Sequence, residues 1–363
     1  MKHLSEFRDR ALARELVAAI RRAATRQWTL MDVCGGQTHG IVRNGLDLVL
    51  ASQVRFIHGP GCPVCVTPAS AIDHAIEIAR SPGVILCSFG DMLRVPGTSK
   101  SLLQAKSEGA EIRVLYSPLD ALKIARNNPT RDVVFFAVGF ETTTPVYATA
   151  VLHAARQGLG NFFLLNSHTL VPPALKAILA VPGCEVQAVL AAGHVCTVTG
   201  WRDYQPIAAR YRVPVVITGF ELADLLAGIL GAVEQLENGR AEVGNHYARA
   251  VRSEGNPVAC ENVRQVFETC DREWRGIGII PASGLRLRPE FVQFDAALRW
   301  PAGRRPACAD RRECIAGLVL QGRAKPVSCH SFGRTCTPER PLGAPMISAE
   351  GACAAYYAYA RRY

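Results

Sequence analysis

Closely spaced thiols are the first sign of chemistry in this chain. Cys62 and Cys65 stand in His58-Gly59-Pro60-Gly61-Cys62-Pro63-Val64-Cys65, where seven of eight residues are Gly, Pro, Cys or His. Gly and Pro fix an unusual backbone path. The run lies between an apolar stretch, residues 53–57, and an alanine-rich helical pattern. A C-x-x-C pair on a rigid turn before a helix N-terminus suits a reversible disulfide or half of a metal site. Cys34 precedes two glycines in Cys34-Gly35-Gly36-Gln37-Thr38-His39. A thiolate there is a candidate nucleophile or soft metal ligand. His39, five residues on, is a candidate second ligand or proton carrier.

Four more cysteines, Cys314, Cys329, Cys336 and Cys353, are separated by 14, 6 and 16 residues among Gly and Pro turns. Four thiolates serve zinc and an iron–sulfur cluster equally well, and these gaps match neither the common zinc nor the common ferredoxin runs. Cys308 lies in a polar segment without a turn signature and is left out of the set. Cys87, in Val84-Ile85-Leu86-Cys87, reads as core, and Cys184, Cys260 and Cys270 have no motif around them.

The 363 residues contain thirteen cysteines, 49% hydrophobic residues and 20% charged ones. That composition describes a globular protein of two or three domains. No run of apolar residues long enough to span a bilayer occurs. The first ten residues are too charged for a signal peptide, so a cytoplasmic location is expected. In a long cytosolic chain an odd number of cysteines favours metal binding or redox chemistry over a disulfide framework. The net charge of +10 favours acidic partners or nucleic acid. No basic stripe interleaved with aromatics accompanies it, so no nucleic-acid role is assigned.

Apolar periodicity supplies the elements that must position these residues. An amphipathic helix is expected over 5–26, and strands over 28–33, 53–57, 83–88, 111–116, 132–138, 162–166, 186–191 and 214–218. Helices follow most of these strands, and further helices are expected over 240–252 and 256–274. Strands alternating with helices predict parallel sheets. The triplet Gly-Phe-Glu at 139–141 and 219–221 hints at two similar halves. The expected organisation is an N-terminal helix (1–27) packed on a third domain, α/β domains over 28–145 and 146–237 around a cleft, and an irregular, mainly helical third domain over 238–363. Cys34, His39, Cys62, Cys65, Asp91, Glu141, Thr142, Thr143, His168, His194 and Glu221 all follow predicted strands. Ligands bind outside the carboxyl ends of parallel strands, so this shared placement predicts a site.

The motifs resemble the HypD family of hydrogenase maturation proteins over essentially the whole chain. They are Cys34 to His39, Gly59 to Cys65, Gly139-Phe140-Glu141-Thr142-Thr143, Gly193-His194-Val195, Gly244-Asn245-His246-Tyr247 and the tail Glu350 to Tyr357. The resemblance implies one [4Fe-4S] cluster on Cys314, Cys329, Cys336 and Cys353. It implies work with the chaperone HypC on the Fe(CN)2CO unit of [NiFe]-hydrogenases, with cyanide arriving from HypE and carbamoyl groups from HypF. It places a transient iron on Cys34 and a redox-active pair at Cys62 and Cys65. It also implies two α/β domains and a cluster domain. Glu141, Thr142, Thr143, His39 and His194 are candidates for hydrogen bonding to diatomic ligands or for moving protons. The reading is of a redox-active assembly scaffold without membrane contact, rather than a conventional turnover enzyme. Two positions depart from the family pattern: Gln37 where His is common, and Cys196 where Ser is expected. The competing readings are a stand-alone thiol–disulfide oxidoreductase coupled to a cluster, which would turn over without a partner, and a colourless zinc-stabilised interaction protein.

Overall fold

The computed structural model describes residue 7, residues 9–303 and residues 313–359. Cys308 lies outside the described residues. The chain forms two compact units. One takes the chain up to Cys62, Val171–Asn256 and the residues from Glu313 on; the other takes Pro63–Leu170 and the residues from Pro257 to the described end at 303.

The first unit is built on strands β1 (Trp28–Asp32) and β2 (Val54–His58). The second supplies β3 (Val84–Ser88), β4 (Ile112–Val114), β5 (Asp132–Gly139) and β6 (Phe162–His168). The chain then returns to the first unit with β7 (Ala188–Ala192), β8 (Val215–Thr218) and β9 (Val243–Asn245). The five-stranded sheet runs β2-β1-β7-β8-β9 and the four-stranded sheet β4-β3-β5-β6, all parallel. Continuous apolar strands such as Ala188–Ala192, buried along their whole length, are what a parallel sheet covered on both faces requires. Counted within each unit, both orders begin second, first, third, fourth. This is the doubly wound order whose ligand crevice lies between first and third strands.

The two expected α/β halves are therefore present, but the boundaries at 145 and 237 do not hold. β1 pairs with β7, Leu30 opposite Ala188, across the whole of the other sheet. Alternation of strands and helices says that a strand exists, not which strand it pairs with. The Gly-Phe-Glu echo does not mark equivalent places either: it follows the third strand of one sheet and the fourth of the other.

The expected third, mainly helical region is likewise divided. Residues 243–245 form a strand, and Asn245 then folds a turn, accepting from Tyr247 N and donating to Val251 O. A helix covers Pro257–Val266, but Phe267–Trp274 is a strand, β10, antiparallel to β11 (Gly278–Leu287). Alternation of inward and outward residues along β10 is the period-two pattern of a half-buried strand. The turn between β10 and β11 passes through Gly276 and Gly278 at positive φ.

The N-terminal helix, Arg10–Ala23, is capped by the Asp9 carboxylate. Its main packing is not with the C-terminal residues, as expected, but with the helix Leu222–Glu237: Ala13 and Ile20 join Leu225, Ile229 and Val233 in one core cluster. Glu237 fastens the exit, accepting from Thr25 and from Trp28 Nε1 at 2.7 Å.

Candidate functional site

Cys34 lies where β1 ends and the helix Gly35–Arg43 begins, with its backbone extended as that helix's N-cap. His194 is the second residue of the short helix Gly193–Thr199 that follows β7, so the two residues occupy the crevice position between the first and third strands of their sheet. The Cys34 sulfur is 3.8 Å from His194 Nδ1. Burial, with the side chain only 5% exposed, pushes the Cys34 thiol up to about 12. The backbone N–H groups of Gln37 and Gly36 work against that rise, while Glu350 and Asp32 add to it. Burial also lowers His194, keeping the imidazole neutral.

The glycines around Cys34 are dictated by close approach. A Cβ on Gly61 would stand 2.3 Å from Cys34 N and 2.4 Å from Val33 C, and one on Gly35 would stand 2.2 Å from the Glu350 carbonyl oxygen. Gly35 N donates to Gly61 O at 3.1 Å. Thus the residue immediately before Cys62 is clamped to the Cys34 turn. Cys62 and Cys65 are both disulfide-bonded. Cys65 lies on the short helix Pro63–Val66.

On the far side of the turn, Phe220 packs against Cys34, Ala192 and Val195. Tyr247 sets the loops that deliver His194 and Phe220. Its ring would be struck by a Cβ on either Gly193, at 2.5 Å, or Gly219, at 2.7 Å. Arg249 lies over the Tyr247 ring and pairs with both oxygens of Asp224 at 2.6 Å.

The two departures from the family pattern are both buried. Gln37 donates to Ala191 O at 2.9 Å and more weakly to Thr218 O, tying its helix to the ends of β7 and β8. Among the described residues its Oε1 has no hydrogen-bond partner. Cys196 is a core position of the helix Gly193–Thr199. His39 makes no hydrogen bond to Cys34 among the described residues. It stands edge-on to Tyr359, with ring centroids 5.6 Å apart. Burial lowers it, and a hydrogen bond with the Ala349 backbone offsets part of that.

Cys314, Cys329, Cys336 and Cys353 all line one small cavity of about 20 Å³, together with Phe332 and Met346. All four are free. Cys353 is pushed well up, first by burial and then by Cys314, Cys336 and Cys329, so the four sulfurs act on one another. A Cβ on Gly343 would stand 2.6 Å from the Cys314 sulfur. Leu342 N–H donates to the Cys336 sulfur at 3.4 Å, a bond of the kind that supports thiolate charge. Among the described residues no three His, Cys, Asp or Glu side chains already stand as a closed metal-ligand set. The donor set, its convergence and the N–H to sulfur contact nevertheless fit a thiolate-held group.

Glu141, Thr142 and Thr143 belong to the other unit, on the turn between β5 and the helix Thr144–Arg156. Glu141 is buried. Thr143 Oγ1 lies 3.2 Å from Phe140 O and 3.4 Å from His168 Nε2. His168 Nδ1 lies 2.5 Å from Asn166 Oδ1; an amide oxygen can only accept, so Nδ1 carries the proton and Nε2 is the acceptor. Burial, then Arg272, holds His168 down at about 3. Asp91 follows β3 in the same unit, and Glu221 follows β8 in the first.

Sequence reasoning missed a buried group at the ends of β1 and β2: Asp32, Thr38, His58 and Tyr356. Its one legible sign was a carboxylate closing a strand that is otherwise uncharged and wholly buried.

Comparison with known proteins places these motifs in context. The family described as HypD, Hydrogenase formation hypA family, matches residues 11–360. The hydrogenase maturation factor HypD of Rhodobacter capsulatus is 49% identical, over 99% of this chain and 98% of its own length. That of Azotobacter vinelandii is 49% identical over 100% of this chain and 98% of its own length. That of Escherichia coli K12 is 44% identical over 99% and 98%.

Proposed function

Because the chain belongs to the HypD family of hydrogenase maturation proteins, we propose that it is a redox-active scaffold on which the Fe(CN)2CO unit of [NiFe]-hydrogenases is assembled. The iron of that unit is cargo, held by Cys34 together with a cysteine of the chaperone HypC. Cyanide arrives from HypE, supplied in turn through HypF. The observation that carries the reading is the Cys34 turn. A single buried sulfur faces the Gln37 and Gly36 N–H groups, 3.8 Å from a neutral imidazole.

Burial keeps the proton on Cys34 until a metal displaces it. His194 Nδ1 is placed to accept that proton, and the two N–H dipoles then offset the thiolate charge. Cys62 and Cys65 exchange two electrons and two protons between disulfide and dithiol, one residue beyond the clamped Gly61. Cys314, Cys329, Cys336 and Cys353 are the proposed ligands of one [4Fe-4S] cluster, which when bound supplies one-electron chemistry. Glu141, Thr142 and Thr143 are proposed to bind substrate groups through their carboxylate and hydroxyls. No helix among the described residues is long and apolar enough to cross a membrane; action in the cytoplasm, without nucleic acid, is part of the proposal.

Anaerobic purification followed by iron, sulfide and zinc analysis tests the cluster. About four irons and four sulfides per chain are expected, and a colourless protein with one zinc would overturn that assignment. Disulfide reductase turnover with no partner present would favour the stand-alone oxidoreductase instead.

A further inference from the structure

The ends of β1 and β2 carry a buried polar chain that none of the roles above uses. Asp32, fully buried, has both oxygens occupied: Oδ1 accepts from Thr38 Oγ1 at 2.5 Å, and Oδ2 lies 2.5 Å from His58 Nδ1. His58, 2% exposed, continues through Nε2 to the Tyr356 hydroxyl at 3.0 Å. Tyr356 stands edge-on to it on the helix Ala352–Tyr359, three residues after Cys353. At the other end, Thr38 Oγ1 is also 3.2 Å from the carbonyl oxygen of Cys34.

A hydroxyl, an imidazole and a carboxylate in line have the shape of a nucleophilic triad. Here the phenol is 2% exposed and its oxygen is engaged by His58 inside the core, which leaves no face for a substrate. What the chain does is join three distant segments with directional bonds. Buried polar groups are costly unless paired, and His58 Nε2 and the Tyr356 hydroxyl pair with each other only when the C-terminal helix sits in one register. That helix packs on Gly35–Arg43, the helix that Cys34 caps. The same stretch places Glu350 on Gly35 and Tyr359 on His39. The tail that carries Cys353 thus covers the turn that carries Cys34.

We propose that His58 and Tyr356 are positioning residues for Cys34: through Asp32 they lock the Cys353-bearing helix over the Cys34 turn, so that ligation in the tail sets how open the Cys34 thiol is to reagents and to iron. Only the role of ligation rests on the cluster reading; the lock itself does not.

The test is the rate at which iodoacetamide alkylates Cys34, followed by peptide mass mapping on the full-length, anaerobically purified protein. Tyr356→Phe removes one oxygen and keeps the ring. His58→Asn keeps a donor for Asp32 and loses the link to Tyr356. Both variants are expected to keep the iron content of the unsubstituted protein and to expose Cys34 on the order of tenfold faster, as loss of one buried hydrogen bond predicts. The fully buried Cys196 should react no faster than before. Chelating the iron from the unsubstituted protein should also speed Cys34. Rates within twofold in both variants, or equal acceleration of Cys196, would overturn the lock. An unchanged Cys34 rate after chelation would overturn its coupling to ligation. An unsubstituted protein without iron would overturn the cluster reading, while the two variants would still decide the lock.

Discussion

Single atoms decide much of this site. Gly61 meets backbone rather than a flexible side chain: a Cβ there would lie within 2.5 Å of Val33 C, Cys34 N and Cys34 Cα. Gly61→Ala should therefore cost about 1–3 kcal/mol by urea unfolding, and it should lower iron retention by displacing Cys34. In the other unit, His168 is neutral when folded, with its titration moved from 6.5 to about 3. Between those values the unfolded chain binds a proton that the folded chain does not. Stability is then complete above pH 6.5 and falls as the pH drops toward 3, by roughly 1 kcal/mol for each pH unit. Urea unfolding at pH 7, 5.5 and 4.5 should show this acid slope flattened in His168→Gln. An equal slope in the variant would assign the loss to other groups. The candidate cysteines and His194 were legible in the sequence because their types and spacing are rare. The Asp32, His58 and Tyr356 chain was not, since its members are 26 and 298 residues apart and only folding pairs them.

Elements were legible wherever local pattern alone decides them. The helix Pro118–Asn127 has Ser117 as its N-cap and Pro at its first position, start signals that are readable from adjacent residues alone. Strand pairing was not legible, because the central parallel strands here read alike as apolar runs and nothing local sets Leu30 opposite Ala188. The strand Phe267–Trp274 was read as helix because its charged residues also fit a helical period; pairing with Gly278–Leu287 decided between the two. The N-terminal helix shows how an element far from the chemistry supports it. Ile20 is fully buried against Leu222–Glu237, the helix that follows Phe220. Ile20→Ala should cost about 2–4 kcal/mol in urea unfolding while leaving the iron content per folded chain unchanged. Loss of iron in folded protein would show that this helix reaches the site by another route.

At the scale of the whole molecule, two kinds of thiol stand out: four that line one cavity in the tail and Cys34 at the end of β1. Cys62 and Cys65, the proposed redox pair, are both disulfide-bonded. Cys62→Ala and Cys65→Ala should each keep the iron–sulfur absorption and yet yield no mature hydrogenase in a reconstitution assay. Loss of the absorption would make these residues ligands. The central claim is that Cys34 holds the iron of the Fe(CN)2CO unit, and infrared spectroscopy of the chain co-expressed with its small chaperone tests it most directly. The account predicts bands of bound cyanide and carbonyl in the unsubstituted protein and their loss in Cys34→Ala, with the iron–sulfur absorption retained. Bands of undiminished strength in Cys34→Ala would contradict it.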